Sequence, residues 1–263
     1  MIKKELKTNL KGFIGWLLVL VLMFLFVYVL YPFIITEENM ESMNEVLNAF
    51  PEEVLKALNM DMTSISTAYG WFKSEGLMFI MLIIGLYASI LGGTIVLKEE
   101  NDKTIEYLGF LPISRKKVLT NKIIVSLIYI VSVVLGFMIF NLISLSISGD
   151  LNYKELILLS ISPLFVALPL FGLSLFVSMF LHKTNKIIAI SLGFVFLFYL
   201  LNMLGEISDN VKFIKYLSLY TLADTRGIIN NGVINVWCII ISLLLSSIFI
   251  SSSYILYNKK ELI

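Results

Sequence analysis

The reading of this chain turns on GLMFIMLIIGLYASILGGTIVL, residues 76–97, which runs from Gly76 to Leu97 without one charged side chain. About 20 consecutive apolar residues in a helix cross a hydrocarbon layer roughly 30 Å thick, and a helix satisfies its own backbone polar groups where no water can. Working outward, five more stretches meet that length: residues 14–35, 123–147, 155–181, 187–204 and 234–257. An outer-membrane barrel would show short segments alternating apolar and polar, and residues 16–30 show no such alternation. The expected fold class is therefore all-α: a polytopic membrane protein with about six transmembrane helices, forming one transmembrane domain over residues 1–263.

Composition agrees, with 58% hydrophobic residues, 15% charged residues and a mean hydropathy of +0.91. A soluble domain carries close to a quarter charged residues. The net charge of +1 conceals an asymmetry. If residue 1 starts inside the cell, only Lys56, Lys73, Lys154, Lys212, Lys215 and Arg226 of the 20 basic residues fall outside, and the first outer segment is acidic, with Glu37, Glu38, Glu41, Glu45, Glu52, Glu53 and Asp61. Lys and Arg are retained on the cytoplasmic side during insertion, so both termini are expected there, in the plasma membrane. The basic groups read as anchors toward anionic membrane lipid or a partner, and nothing supports a nucleic-acid role. The first apolar stretch is too long for a secretory signal and has no small-residue cleavage site, so it should stay attached. Lone Cys238 reads as a packing residue and lone His182 as part of a solvated turn.

Two polar stretches stand out. In the outer segment 36–74, Val46, Leu47, Phe50, Val54, Leu55 and Leu58 share one face at helical spacing, which predicts an amphipathic helix over 43–59 serving as a structural lid. In the inner segment 98–122, Glu99 and Lys103 have i, i+4 spacing, and Ile105 and Leu108 make a short apolar face. Pro112 breaks that helix, and Ser114 is placed to cap the next one. Arg115, Lys116 and Lys117 then open a helix against the usual preference for acids, so a lipid phosphate or acidic partner is expected nearby. On physics alone, an ordinary charged loop held by the positive-inside bias fits these residues equally well.

The same segment resembles the inner loop of the membrane subunits of type-2 ATP-binding-cassette transporters, the ABC-2 permease family. Glu99, Thr104, Ile105, Glu106, Pro112, Ile113, Ser114, Arg115 and Lys122 stand at that loop's spacing, while Lys103 and Asn121 stand where the family usually has Gly. The resemblance implies an interfacial elbow helix at residues 1–11 and a coupling helix within 98–122 that docks on a separate ATPase. It further implies that Glu99, Glu100, Thr104 and Glu106 face or brace that ATPase, with Pro112 and Arg115 in the return turn. ATP and Mg would then be bound by the partner, expected in two copies, and a second permease copy or a paralogue would complete the transporter. Its activity would be export of an amphipathic or hydrophobic substrate: a peptide, a drug or a lipid-like molecule.

The residues themselves bear on rival functions. No Walker phosphate loop, Gly-x-Ser-x-Gly elbow or paired His and Glu metal motif occurs in the chain, so it carries no nucleotide-binding domain or cofactor of its own and is not expected to be an enzyme by itself. Ion-gradient carriers keep ionisable groups at span centres, where this chain has none; such a carrier is the second hypothesis and a membrane-bound enzyme the third. Gly85, Ser89 and Gly93 recur every four residues in the second stretch, which predicts close helix packing within the subunit or across a dimer. Pro163 and Pro169 should kink the fourth stretch, and Asn141 and Asn202 are candidates for hydrogen bonds between helices.

Overall fold

A computed structural model describes residues 2–34, 68–101, 114–146, 152–207 and 209–260. The described residues contain no strand, and six helices or helix pairs among them are long and apolar enough to span a membrane. In order these are α1 (Ile2–Ile34), the short α2 (Ala68–Trp71) with a π-helical turn (Phe72–Gly76) leading into α3 (Leu77–Asn101), α4 (Arg115–Ser146), the pair α5 (Tyr153–Ile161) and α6 (Pro163–Ser178), and α7 (Thr184–Ile207). Two 3-10 segments (Asp209–Leu217 and Leu219–Ala223) and α8 (Thr225–Asn231) then lead to α9 (Val236–Lys259). All six expected spans are present. The amphipathic helix expected over 43–59 and the loop positions 102–113 lie outside the described residues.

Residues 2–11, expected as an interfacial elbow, run into the first span as one unbroken helix. At 1.5 Å per residue the 33 residues of α1 extend about 50 Å, well beyond a hydrocarbon layer of roughly 30 Å. The 32-residue α4 overshoots in the same way, which leaves polar ends of both helices side by side.

The bundle has a clear inside. In α3, 72% of the most apolar window is buried, and in the α5–α6 pair 61%, against 17% in each of α1, α7 and α9. The two inner spans therefore form the axis. The outer helices turn Leu18, Leu22, Phe26, Leu200, Leu244 and Ile248 outward, as expected of surfaces that meet lipid tails. Phe24 ties α1 to its neighbours through ring contacts with Phe72, Phe137 and Phe140.

Close approach within the axis depends on small residues. A Cβ on Gly92 would lie 2.3 Å from the Phe171 carbonyl oxygen on α6, and one on Gly93 would lie 2.5 Å from Ile187 on α7. A Cβ on Gly85 would lie 2.4 Å from the Tyr220 hydroxyl. Between these glycines, Ser89, Ser174 and Ser191 share hydrogen bonds at mid-bundle, with Ser89 Oγ 2.6 Å from Ser174 Oγ. The stripe Gly85, Ser89 and Gly93 thus packs inside this chain. Asn141 donates to Ser160 Oγ at 2.8 Å and Asn202 Oδ1 accepts from Thr221 at 3.1 Å, so both asparagines do join separate elements.

The two prolines are each compensated by a serine. Proline has no N–H, so the carbonyl four residues earlier loses its helical partner. For Pro163 that carbonyl belongs to Leu159, and Ser162 Oγ donates to it at 3.0 Å. For Pro169 it belongs to Phe165, and Ser242 on α9 donates to it at 2.7 Å. The chain breaks between α5 and α6 at Pro163, whereas α6 continues as a helix through Pro169. Replacement partners of this kind are what allow Pro in a span.

At the end of the bundle opposite the two termini, Lys73 pairs with Glu155 at 3.1 Å and lies over the Tyr69 ring. Burial, and secondarily the Glu155 carboxylate, hold the Tyr69 phenol above its ordinary range.

Candidate functional site

The polar overshoot of α1 and α4 meets the ends of α3, α6 and α9 in one ion-paired cluster. Lys122, two turns into α4, is 1% exposed. Its ammonium lies 2.9 Å from Glu99 Oε1 on α3 and 3.4 Å from Glu5 Oε1 on α1, and donates to the Ile95 carbonyl at 2.9 Å. Beside it, Glu100 receives Lys260 Nζ at 2.8 Å and has His182 Nδ1 at 3.4 Å. Lys260 Nζ also donates to Leu181 O at 2.7 Å, at the turn after α6.

The return side is held from α4. Ser114 Oγ accepts from the Lys117 N–H at 3.4 Å, which confirms it as the cap of that helix. Arg115 Nη1 donates to the Lys260 carbonyl at 2.9 Å, at the end of α9. The negative group expected near the basic start of α4 is thus, for Arg115, a helix C-terminal carbonyl, which carries partial negative charge. Lys116 and Lys117 remain exposed. Tyr129 OH bonds to the Leu6 carbonyl, and the Phe13 ring lies on Tyr129, so α1 and α4 are joined along several turns.

The structure brings three of the anticipated coupling residues together, Glu99, Glu100 and Arg115; the two glutamates turn inward onto Lys122 and Lys260, while Arg115 stays exposed with its guanidinium on the Lys260 carbonyl. Glu100 is 8% exposed and ion-paired with Lys260, just after α9, and with His182 in the turn after α6. Thr104, Glu106 and Pro112 lie outside the described residues. The cluster also recruits Glu5, Lys122, His182 and Lys260. Glu5 carried a signal, being an acid alone among Lys3, Lys4 and Lys7. Lys260 did not, since a lysine at the end of a span is ordinary. His182, read as a solvated turn residue, is exposed on one side and faces Glu100 on the other.

A cluster like this confers geometry more than stability, because desolvating ions offsets much of their attraction. It fixes the ends of α3 and α4, from which residues 102–113 depart and to which they return. Among the described residues no group of His, Cys, Asp and Glu is arranged to hold a metal ion.

Comparison with protein families supplies the deciding observation: the family described as ABC-2 family transporter protein matches residues 1–262. The chain belongs to the ABC-2 transporter family. Comparisons with curated proteins and with solved structures gave no match. An ABC-2 permease is a membrane transport component, and membership implies association with an ABC ATPase in general. With six apolar helices, this ABC-2 chain is a multi-pass membrane protein.

Proposed function

We propose that this chain is the membrane-spanning permease subunit of an ATP-driven exporter, moving an amphipathic or hydrophobic substrate out of the cell. A separate cytoplasmic ATPase, in two copies, binds ATP and Mg, and a second copy of this chain or a paralogue completes the pathway. The clasped end of the bundle faces the cytoplasm of a plasma membrane, and the chain performs no chemistry itself.

One observation carries the reading. Glu99 and Lys122, the first and last positions of the family's inner-loop pattern, meet as an ion pair at 2.9 Å. A contact there closes the base of the loop, so force applied to residues 102–113 passes to α3 and α4 together instead of bending one of them. Because α3 is the bundle axis, packed on α6 and α7 through Gly92 and Gly93, its movement reaches the centre directly. Packed interfaces of this kind shift between discrete arrangements, which suits a lever.

The test is uptake into inside-out vesicles containing the permease and its ATPase. ATP is expected to drive accumulation without an ion gradient, and Arg115→Ala is expected to lower the rate severalfold with assembly intact. Accumulation driven by a proton or sodium gradient without nucleotide would instead establish a secondary carrier.

A further inference from the structure

At the end of the bundle opposite the termini, a cleft opens between α3, α7 and α8. Its walls include Met78, Met81 and Met203, unbranched thioether side chains that adapt to irregular apolar shapes. Asn202 adds a hydrogen-bonding edge and Tyr220 lines the cleft. The Tyr220 hydroxyl, buried over Gly85 and beside Leu170, has no hydrogen-bond partner among the described residues. A buried polar group without a partner is uncommon and marks a place where a bound polar group or water belongs.

The charges of the cleft decide what it accepts. Lys73 and Glu206 line it on different elements, and each already has a partner: Lys73 with Glu155 at 3.1 Å, Glu206 with Lys215 at 3.5 Å and with Arg226. A ligand with a lone positive or negative charge would meet a like charge in either pair and disturb a balance that is costly to break away from bulk water. A head group that is neutral overall meets no such penalty and still finds donors and acceptors of both signs.

We propose that this cleft binds an amphipathic molecule of no net charge, its apolar body against the three methionines and its head among Asn202, Lys73 and Glu206. The assignment rests on the transport reading for its role as a substrate site, but its occupancy does not require transport. Gly85 keeps the space into which Tyr220 fits, so the small-residue stripe of α3 shapes the cleft as well as the helix contacts.

The test uses the full chain carrying Cys238→Ser, with a single cysteine at Met203 or Met78, in phosphatidylglycerol nanodiscs without ATPase or nucleotide. Alkylation by a polar maleimide is timed with dodecylphosphocholine, dodecyl phosphate or dodecyltrimethylammonium at equal membrane-bound concentration. The zwitterionic probe is expected to slow labelling at both positions about tenfold more than either charged probe, the difference that one compensated interaction makes. Labelling at an exposed control, Asn231→Cys, should not change. The proposal is overturned if a charged probe protects as well, if the control is protected equally, if no probe protects, or if neither cysteine can be labelled. Because the assay contains no ATPase, failure here leaves the transport reading standing, and failure of ATP-driven uptake leaves protection unaffected.

Discussion

Lys122 is the residue on which the termini end of the bundle converges, since one ammonium serves Glu99, Glu5 and the Ile95 carbonyl at once. Removing one member of a buried ion cluster leaves its counter-charges uncompensated, which typically costs about 3–5 kcal/mol. Lys122→Met should therefore lower the thermal unfolding midpoint of the detergent-solubilised chain markedly, and adding Glu99→Gln should recover part of the loss. A double variant as unstable as the sum of the two single changes would show that they do not interact. Glycines give a sharper contrast. Gly92→Ala drives a methyl to 2.3 Å from a backbone oxygen that cannot move alone, so about 1–3 kcal/mol should be lost. Gly193→Ala on α7 meets nothing within 4 Å, and the same unfolding measurement should find it within about 0.5 kcal/mol of the parent. The sequence showed that Gly85, Ser89 and Gly93 form a contact face, because four-residue spacing is a local property. What they contact depends on how distant helices pack, and spacing does not contain that information. The same limit hid the pairing of Glu5 with Lys122 and of Lys260 with Glu100, whose members lie more than 100 residues apart in the chain.

At the scale of elements, all six spans were legible, because lipid imposes a length and an apolarity that composition alone reveals. Their ends were less so: α1 and α4 extend beyond their apolar stretches, since a polar helix continues wherever neighbours satisfy its side chains. The 3-10 segments after α7 were read simply as outer chain, although Gly205 admits Lys215 so closely that a Cβ would lie 2.5 Å from its backbone nitrogen. The kinks expected at Pro163 and Pro169 resolve into a break at the first and a continuous helix at the second, each with a serine on the freed carbonyl. This arrangement predicts a specific dependence between α6 and α9. Ser242→Ala leaves the Phe165 carbonyl unpaired and should cost about 1–3 kcal/mol in the unfolding assay. With Pro169→Ala present, residue 169 regains the N–H that the carbonyl lacks, and the cost of Ser242→Ala should fall by more than half. Equal costs in both backgrounds would mean that the serine is not compensating the proline.

For the whole molecule, an inner axis of α3 and α6 is surrounded by lipid-facing helices, clasped by ion pairs at the termini end and cleft at the other. Of the candidate site, Glu99, Glu100 and Arg115 were legible from the inner-loop pattern, but the inward orientation of the two glutamates was not, because it depends on Lys122 of α4, on Lys260 just after α9 and on the turn after α6. In the function proposed, Glu99 and Glu100 brace the loop base and docking on the ATPase falls to residues 102–113. The measurement that tests this account most directly is purification of the chain from its native membrane in mild detergent, with residues 102–113 intact or scrambled, followed by identification of bound proteins and assay of nucleotide hydrolysis. The account predicts an ABC ATPase that co-purifies with the intact chain and is lost on scrambling while the bundle remains folded. An intact chain that purifies without any ATPase, or an ATPase that stays bound to the scrambled form, would contradict it.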